Sequence, residues 1–112
     1  MTTKFNMTRD INGYNGFGLQ FSDTNFNTTL LAGVGQTLTI PSDNAYYLAV
    51  FAFEPGSTVW VADNQTAAVP GGSFASTYSD LNPAARLVEA GDVLSFITAD
   101  TSIVIGVSLY AI

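Results

Sequence analysis

Short apolar runs, each closed by Gly, Pro, Asn, Asp or Ser, recur at intervals of roughly eight to twelve residues from Phe17 to the C-terminus. No stretch carries the 3.6-residue period of an amphipathic helix, so the crossover helices of a parallel sheet have no source in this chain. A chain punctuated in this way reverses at the end of each strand and folds as an all-β domain. Its 112 residues fit one domain, and a chain of that length buries roughly two-thirds of the surface it exposes when unfolded.

Phe17-Gly18-Leu19-Gln20-Phe21 alternates large and small or polar residues, placing three apolar side chains on one face. Leu38-Thr39-Ile40 stops at Pro41, which has no N–H to give a ladder. Residues 45–53 are nearly all apolar, too short a run to span a bilayer, and their aromatic and β-branched content marks a buried central strand. Glu54-Pro55-Gly56-Ser57 is turn chemistry, so residues 58–62 are expected to return as an antiparallel hairpin partner. Trp60, inside that returning strand, is expected in the core. Tyr46 and Tyr47 are neighbours and face opposite sides of the sheet. One belongs to the core, and Tyr47 is assigned to an interface.

Residues 70–79 form the longest irregular loop. Asn82-Pro83-Ala84-Ala85-Arg86 predicts a single helical turn, with Pro83 pre-setting its first residue. Ala90-Gly91-Asp92 is a turn between two further strands. Residues 102–110 are the terminal strand, in which Gly106 marks either a bulge or a close backbone approach. About seven or eight strands result, and the expected architecture is an antiparallel two-sheet β-sandwich, the jelly roll being one form of it. Residues 17–112 make up this domain. Residues 1–16 have no sustained period yet carry Phe5, Met7, Ile11 and Tyr14, too many large apolar groups for a disordered tail. They predict an extended N-terminal arm that lies on its own domain or on a neighbour.

Charged residues make up 11% of the chain, against a usual ~25%. Three cations and nine anions give a net charge of -6. Lys4, Arg9 and Arg86 cannot form the cluster that neutralises phosphates, so no nucleic-acid partner is expected. Sparse charge fits a well-buried sandwich, and it also fits a surface partly covered by partner subunits. No run of roughly eighteen apolar residues suggests a membrane span. Met1-Thr2-Thr3-Lys4 leads into polar and aromatic residues instead of a secretory apolar core, so a product of the cytoplasm is expected.

The chain has no histidine and no cysteine, which removes the commonest general base, the commonest metal ligand and the thiolate nucleophile. Its carboxylates sit mostly beside Gly, Pro, Asn or Ser, where Asp caps turns. Asp10-Ile11-Asn12-Gly13-Tyr14-Asn15 has a superficial likeness to a calcium loop, but Asn15 stands where that loop needs glycine. No catalytic, cofactor or metal site is expected. Arg86 either anchors a carboxylate across a subunit boundary or lies in solvent.

One resemblance adds to this reading. The apolar run 45–53, Glu54-Pro55-Gly56-Ser57, Val59-Trp60-Val61 and Thr66-Ala67-Ala68-Val69-Pro70 are followed by Leu81-Asn82-Pro83-Ala84-Ala85-Arg86 and Ala90-Gly91-Asp92-Val93-Leu94-Ser95-Phe96-Ile97-Thr98. Over residues 34–112 the chain resembles small virion structural proteins of tailed bacteriophages. That resemblance implies a decoration or cement protein on the capsid exterior, bound to the major capsid protein and to itself as a dimer or trimer. The residues expected at its interfaces are Phe5, Met7, Arg9, Tyr14, Phe17, Tyr47 and Arg86, chosen from this sequence alone. The alternative is a tail- or head-fibre tip that binds host-surface glycans through exposed aromatics. A free-standing carbohydrate-binding module is a third reading.

Overall fold

The computed structural model describes residues 2–112, except that the side chains of Asn15 and Phe17 lie outside the description. Its strands are β1 (Met7–Arg9), β2 (Asn15–Leu19), β3 (Asn25–Leu30), β4 (Gln36–Thr39), β5 (Tyr46–Phe53), β6 (Val59–Asp63), β7 (Asp80–Leu81), β8 (Ala85–Glu89), β9 (Val93–Thr98) and β10 (Ile103–Ala111). Among the described residues there is no helix. One sheet has the order β3-β10-β5-β8, the other β4-β9-β6-β7, and β1 and β2 form a separate two-stranded hairpin. Every ladder is antiparallel.

Period-two alternation makes this a sandwich. On β10, Ile103, Ile105, Val107 and Leu109 are buried, while Val104 between them is half exposed. On β5 the inward row is Tyr47, Ala49 and Phe51, and on β9 it includes Leu94 and Phe96. The inward rows of the two sheets meet in one core. Phe51 and Phe96, from opposite sheets, meet edge to face with centroids 6.2 Å apart.

The expected β5–β6 hairpin does not form. The turn itself is present, with Ser57 N–H donating to the Glu54 carbonyl at 3.1 Å. Both edges of β5 are already taken, by β10 and β8, so β6 crosses to the other sheet. From β3 to β10 only the β6–β7 connection stays within one sheet.

The helical turn predicted at residues 82–86 is also absent. Asn82 sits in the left-handed region at φ 43°, and the residues after Pro83 are drawn into the sheet, with Phe51 N–H donating to the Ala84 carbonyl at 3.0 Å and β8 starting at Ala85. The Asn82 side chain accepts from Val59 N–H at 2.7 Å and donates to the Ser57 carbonyl at 2.8 Å. Pro83 is buried behind it, and the chain runs directly into β8.

The strand expected at residues 17–21 is found at Asn15–Leu19, but its partner is β1 and not a strand of the sandwich. Thr8 lies so close across it that a Cβ on Gly18 would stand 2.5 Å from the Thr8 hydroxyl.

Gly106 is a close approach and not a bulge, because its register is continuous with both β3 and β5. A Cβ there would lie 2.7 Å from the Asn27 amide oxygen. That amide is the end of an exposed side chain and can swing aside, so Gly106→Ala is expected to change stability by less than about 1 kcal/mol. In the Asn27→Ala background, where nothing has to move, the same substitution should stabilise. Urea denaturation of the single and double variants measures both.

Candidate interaction surface

The N-terminal segment is tied to its own sandwich before it leaves it. Thr2 N–H donates to Asp43 at 2.7 Å, and Thr3 N–H donates to Asp23 at 2.9 Å. Lys4 bridges Ala111 in parallel, with Phe5 N–H donating to the Ala111 carbonyl at 2.9 Å. The Phe5 ring meets Tyr110 edge to face at 6.3 Å. The Tyr110 hydroxyl donates to the Gln20 carbonyl at 2.7 Å, which secures the chain where it returns.

Between these two anchors residues 7–19 form the hairpin. Asp10 shapes its turn by accepting from Asn12 N–H at 2.9 Å and Tyr14 N–H at 3.0 Å, while Arg9 donates to the Gly13 carbonyl at 2.9 Å. These are the turn roles expected of a short acidic side chain. Ile11 is fully exposed, Tyr14 is 72% exposed and Met7 37%. Neither strand pairs with either sheet.

Of the expected interface residues, Phe5, Met7, Arg9 and Tyr14 therefore fall on one continuous element. Phe17 lies in β2, but its side chain is outside the described residues. Tyr47 is corrected: it is fully buried and its hydroxyl donates to Asp43. Strand alternation places Tyr46 outward instead, nearly half exposed. Arg86 sits apart on the edge strand β8 and donates to Asp80 of its own chain at 3.3 Å. Trp60 is a second correction. Val59 and Val61 hold the core positions, so Trp60 faces outward, half-buried beneath the loop 70–77.

Sequence reasoning missed the outer face of the β3-β10-β5-β8 sheet. Leu87 is 60% exposed there beside the partly exposed Leu48 and Val50, and Val104, farther along β10, is half exposed. The signal was present in residues 45–53, where both alternating sets are apolar.

Asp63 and Asp80 line one small cleft together with Arg86, which pairs with Asp80. Asp63 ends β6 and Asp92 precedes β9, close enough for their carboxylates to shift each other's titration. Burial and the Asp92 charge push Asp63 up to about 6. Asp92 is held below its ordinary value by hydrogen bonds from Glu89 N–H and Asn64, which outweigh its own desolvation. Asp43 is held down at about 2 by the Tyr47 hydroxyl and by Thr2. Among the described residues no group of three or more acidic side chains is placed to hold a metal ion. Comparison with protein-family models, with curated proteins and with solved structures gave no match.

Asp43 and Asp63 act on different pH ranges. Asp43, depressed from 3.8 to about 2, contributes stability that is present above 3.8 and lost as pH falls toward 2. Asp63, raised from 3.8 to about 6, favours the folded state when protonated, so stability falls as pH rises from 3.8 through 6. Thermal melts of Asp63→Asn should lose the second decline and keep the first. At pH 7 its Tm should rise by about 1–3 °C, a small gain because the site is largely solvated.

Proposed function

We propose that this chain is a non-enzymatic assembly protein whose hairpin and outer sheet face are covered by other chains. The observation that carries this reading is its surface. The chain exposes 6897 Å², whereas a compact monomer of 11.8 kDa exposes roughly 5,900 Å². The surplus of about 1,000 Å² is the size of one partner's share in a standard interface, about 800 Å². The radius of gyration, 15.3 Å, likewise exceeds the roughly 13 Å of a compact domain of this length.

The hairpin adds a second support. Two strands alone are marginal in water, and this pair presents Met7, Ile11 and Tyr14 to solvent. A partner that covers them stabilises the hairpin and is bound by it, by the same free energy.

The resemblance over residues 34–112 narrows the reading to a phage capsid decoration or cement protein. Its partners are then the major capsid protein and further copies of itself, as a dimer or trimer, on the capsid exterior. Weak contacts at many shell positions add through multivalency. With three cations in the chain, neither nucleic acid nor an anionic membrane surface is a partner. We also read the sandwich as a jelly roll, since the orders β3-β10-β5-β8 and β4-β9-β6-β7 are those of eight strands wound as two Greek keys.

A second reading, a fibre tip that binds neutral glycans, is favoured by one observation. Trp60 faces outward under a loop that also carries the exposed Phe74 and Tyr78. Binding of the purified chain to capsids lacking it decides between them. Ile11→Asp with Tyr14→Asp is expected to weaken capsid binding at least tenfold while leaving the circular dichroism spectrum unchanged. Undiminished binding contradicts the role of the hairpin. Indifference to capsids, with retention on host polysaccharide that Trp60→Ala abolishes, sinks the first reading in favour of the second.

A further inference from the structure

The sandwich has four edge strands, and three of them are blunted against pairing. β4 has four residues and β7 two. β8 carries Arg86 and Glu89, its Ala85 carbonyl accepts from Arg86 at 2.7 Å, and its Glu89 N–H donates to Asp92 at 3.0 Å. Short length, charge and capped backbone groups are the usual guards on an edge.

β3 is the least guarded of the four. Its six residues, Asn-Phe-Asn-Thr-Thr-Leu, include no charge and no proline, and they keep an unbroken register with β10. Leu109 N–H donates to the Thr24 carbonyl at 3.0 Å, which sets the phase of that ladder. Thr24, Phe26, Thr28 and Leu30 turn their backbone groups toward β10, and Asn25, Asn27 and Thr29 turn theirs to the open edge. Among the described residues one side chain reaches that row, Gln36, which donates to the Thr29 carbonyl at 2.8 Å.

The side chains at this edge are unfinished too. Phe26 pairs with the buried Val107 and points the same way, yet it is 37% exposed. The sheets part here, leaving a cleft of about 180 Å³ beside Phe26, Leu38, Phe96 and Ile105.

We infer that β3 pairs antiparallel with β3 of a second copy, about a two-fold axis at Asn27, joining two four-stranded sheets into one of eight. Asn27 then faces Asn27, Asn25 of each copy faces Thr29 of the other, and Phe26 faces Thr28. Each outward N–H and carbonyl meets its counterpart once the Gln36 side chain swings off the Thr29 carbonyl, and each Phe26 is covered by the incoming strand. The contact is self-complementary and closes as a dimer, leaving no open β3 edge. The net charge of -6 does not oppose it. The carboxylate nearest in sequence, Asp23, lies four positions from the axis, so its two copies are about 27 Å apart at ~3.4 Å per residue. That is well beyond a Debye length of about 8 Å. The inference deepens the assembly reading and rests on it for its use, but the contact is measured without any shell.

Light scattering on the purified chain, from micromolar to submillimolar concentration, is expected to give twice 11.8 kDa. Asn27→Pro removes an outward N–H and spares the β10 ladder. It should weaken the dimer at least tenfold with an unchanged circular dichroism spectrum. Should that variant not fold, cross-linking decides. The chain has no native cysteine, so Asn27→Cys should oxidise to a covalent dimer, while Asn12→Cys in the hairpin turn should not. A monomer at every concentration, or a dimer indifferent to Asn27→Pro and not cross-linked at position 27, overturns the inference. A monomer whose β3 amides become protected on binding capsids also overturns it, assigning the edge to a foreign strand and leaving the assembly reading intact. A β3 dimer that ignores capsids supports the inference and sinks that reading.

Discussion

The inward row of β10, Ile103, Ile105, Val107 and Leu109, is the contact on which the rest of the fold depends. β10 pairs with β3 on one side and β5 on the other, so it is the strand that makes a sheet out of three pieces of chain distant in sequence. Its outward row is used as well. Gly106 gives up its side chain so that Asn27 can lie across the strand, and Tyr110 and Ala111 receive the N-terminal segment. Remove the alternation of β10 and the core, the sheet and the N-terminal anchor are lost together.

What β10 does not stabilise is equally informative. Beyond the anchor at Phe5 and Gln20 the hairpin carries its large apolar side chains into water. At one edge of the same sheet, β3 offers a row of backbone groups of which its own chain meets one, the Thr29 carbonyl. Both features cost stability in an isolated molecule and neither costs anything in a covered one. A low charge density agrees with that. With 11% of its residues charged, the chain is poorly guarded against contact, as interface cores are.

Most of the strands were legible in the sequence, since turn residues and alternation are local signals. Partnership was not. Residues 58–62 read as a hairpin partner for β5, because nothing local says that β10 and β8 already hold both edges of β5. Trp60 read as core for the same reason. Its strand alternates between two apolar sets, and only the tertiary fold decides that Val59 and Val61 point inward. The adjacent tyrosines posed the same choice of face. Asp43 settles it by taking the Tyr47 hydroxyl at the sandwich end, an interaction across a turn that spacing alone does not reveal. That residues 1–16 are ordered was legible from composition, because large apolar groups such as Phe5, Met7 and Tyr14 in an aperiodic segment are uncommon in a tail. The hairpin itself depends on glycines beneath Thr8, a packing detail with no sequence period.

Amide hydrogen exchange, compared between the free chain and the chain in its assembled state, tests most directly whether this protein is built to be covered. The account predicts strong protection of β5, β9 and β10 in both states. Residues 7–19 should exchange at nearly unprotected rates when free and gain at least a hundredfold protection when assembled. A hairpin as protected as β10 in the free chain, or one still unprotected in the assembly, would contradict it.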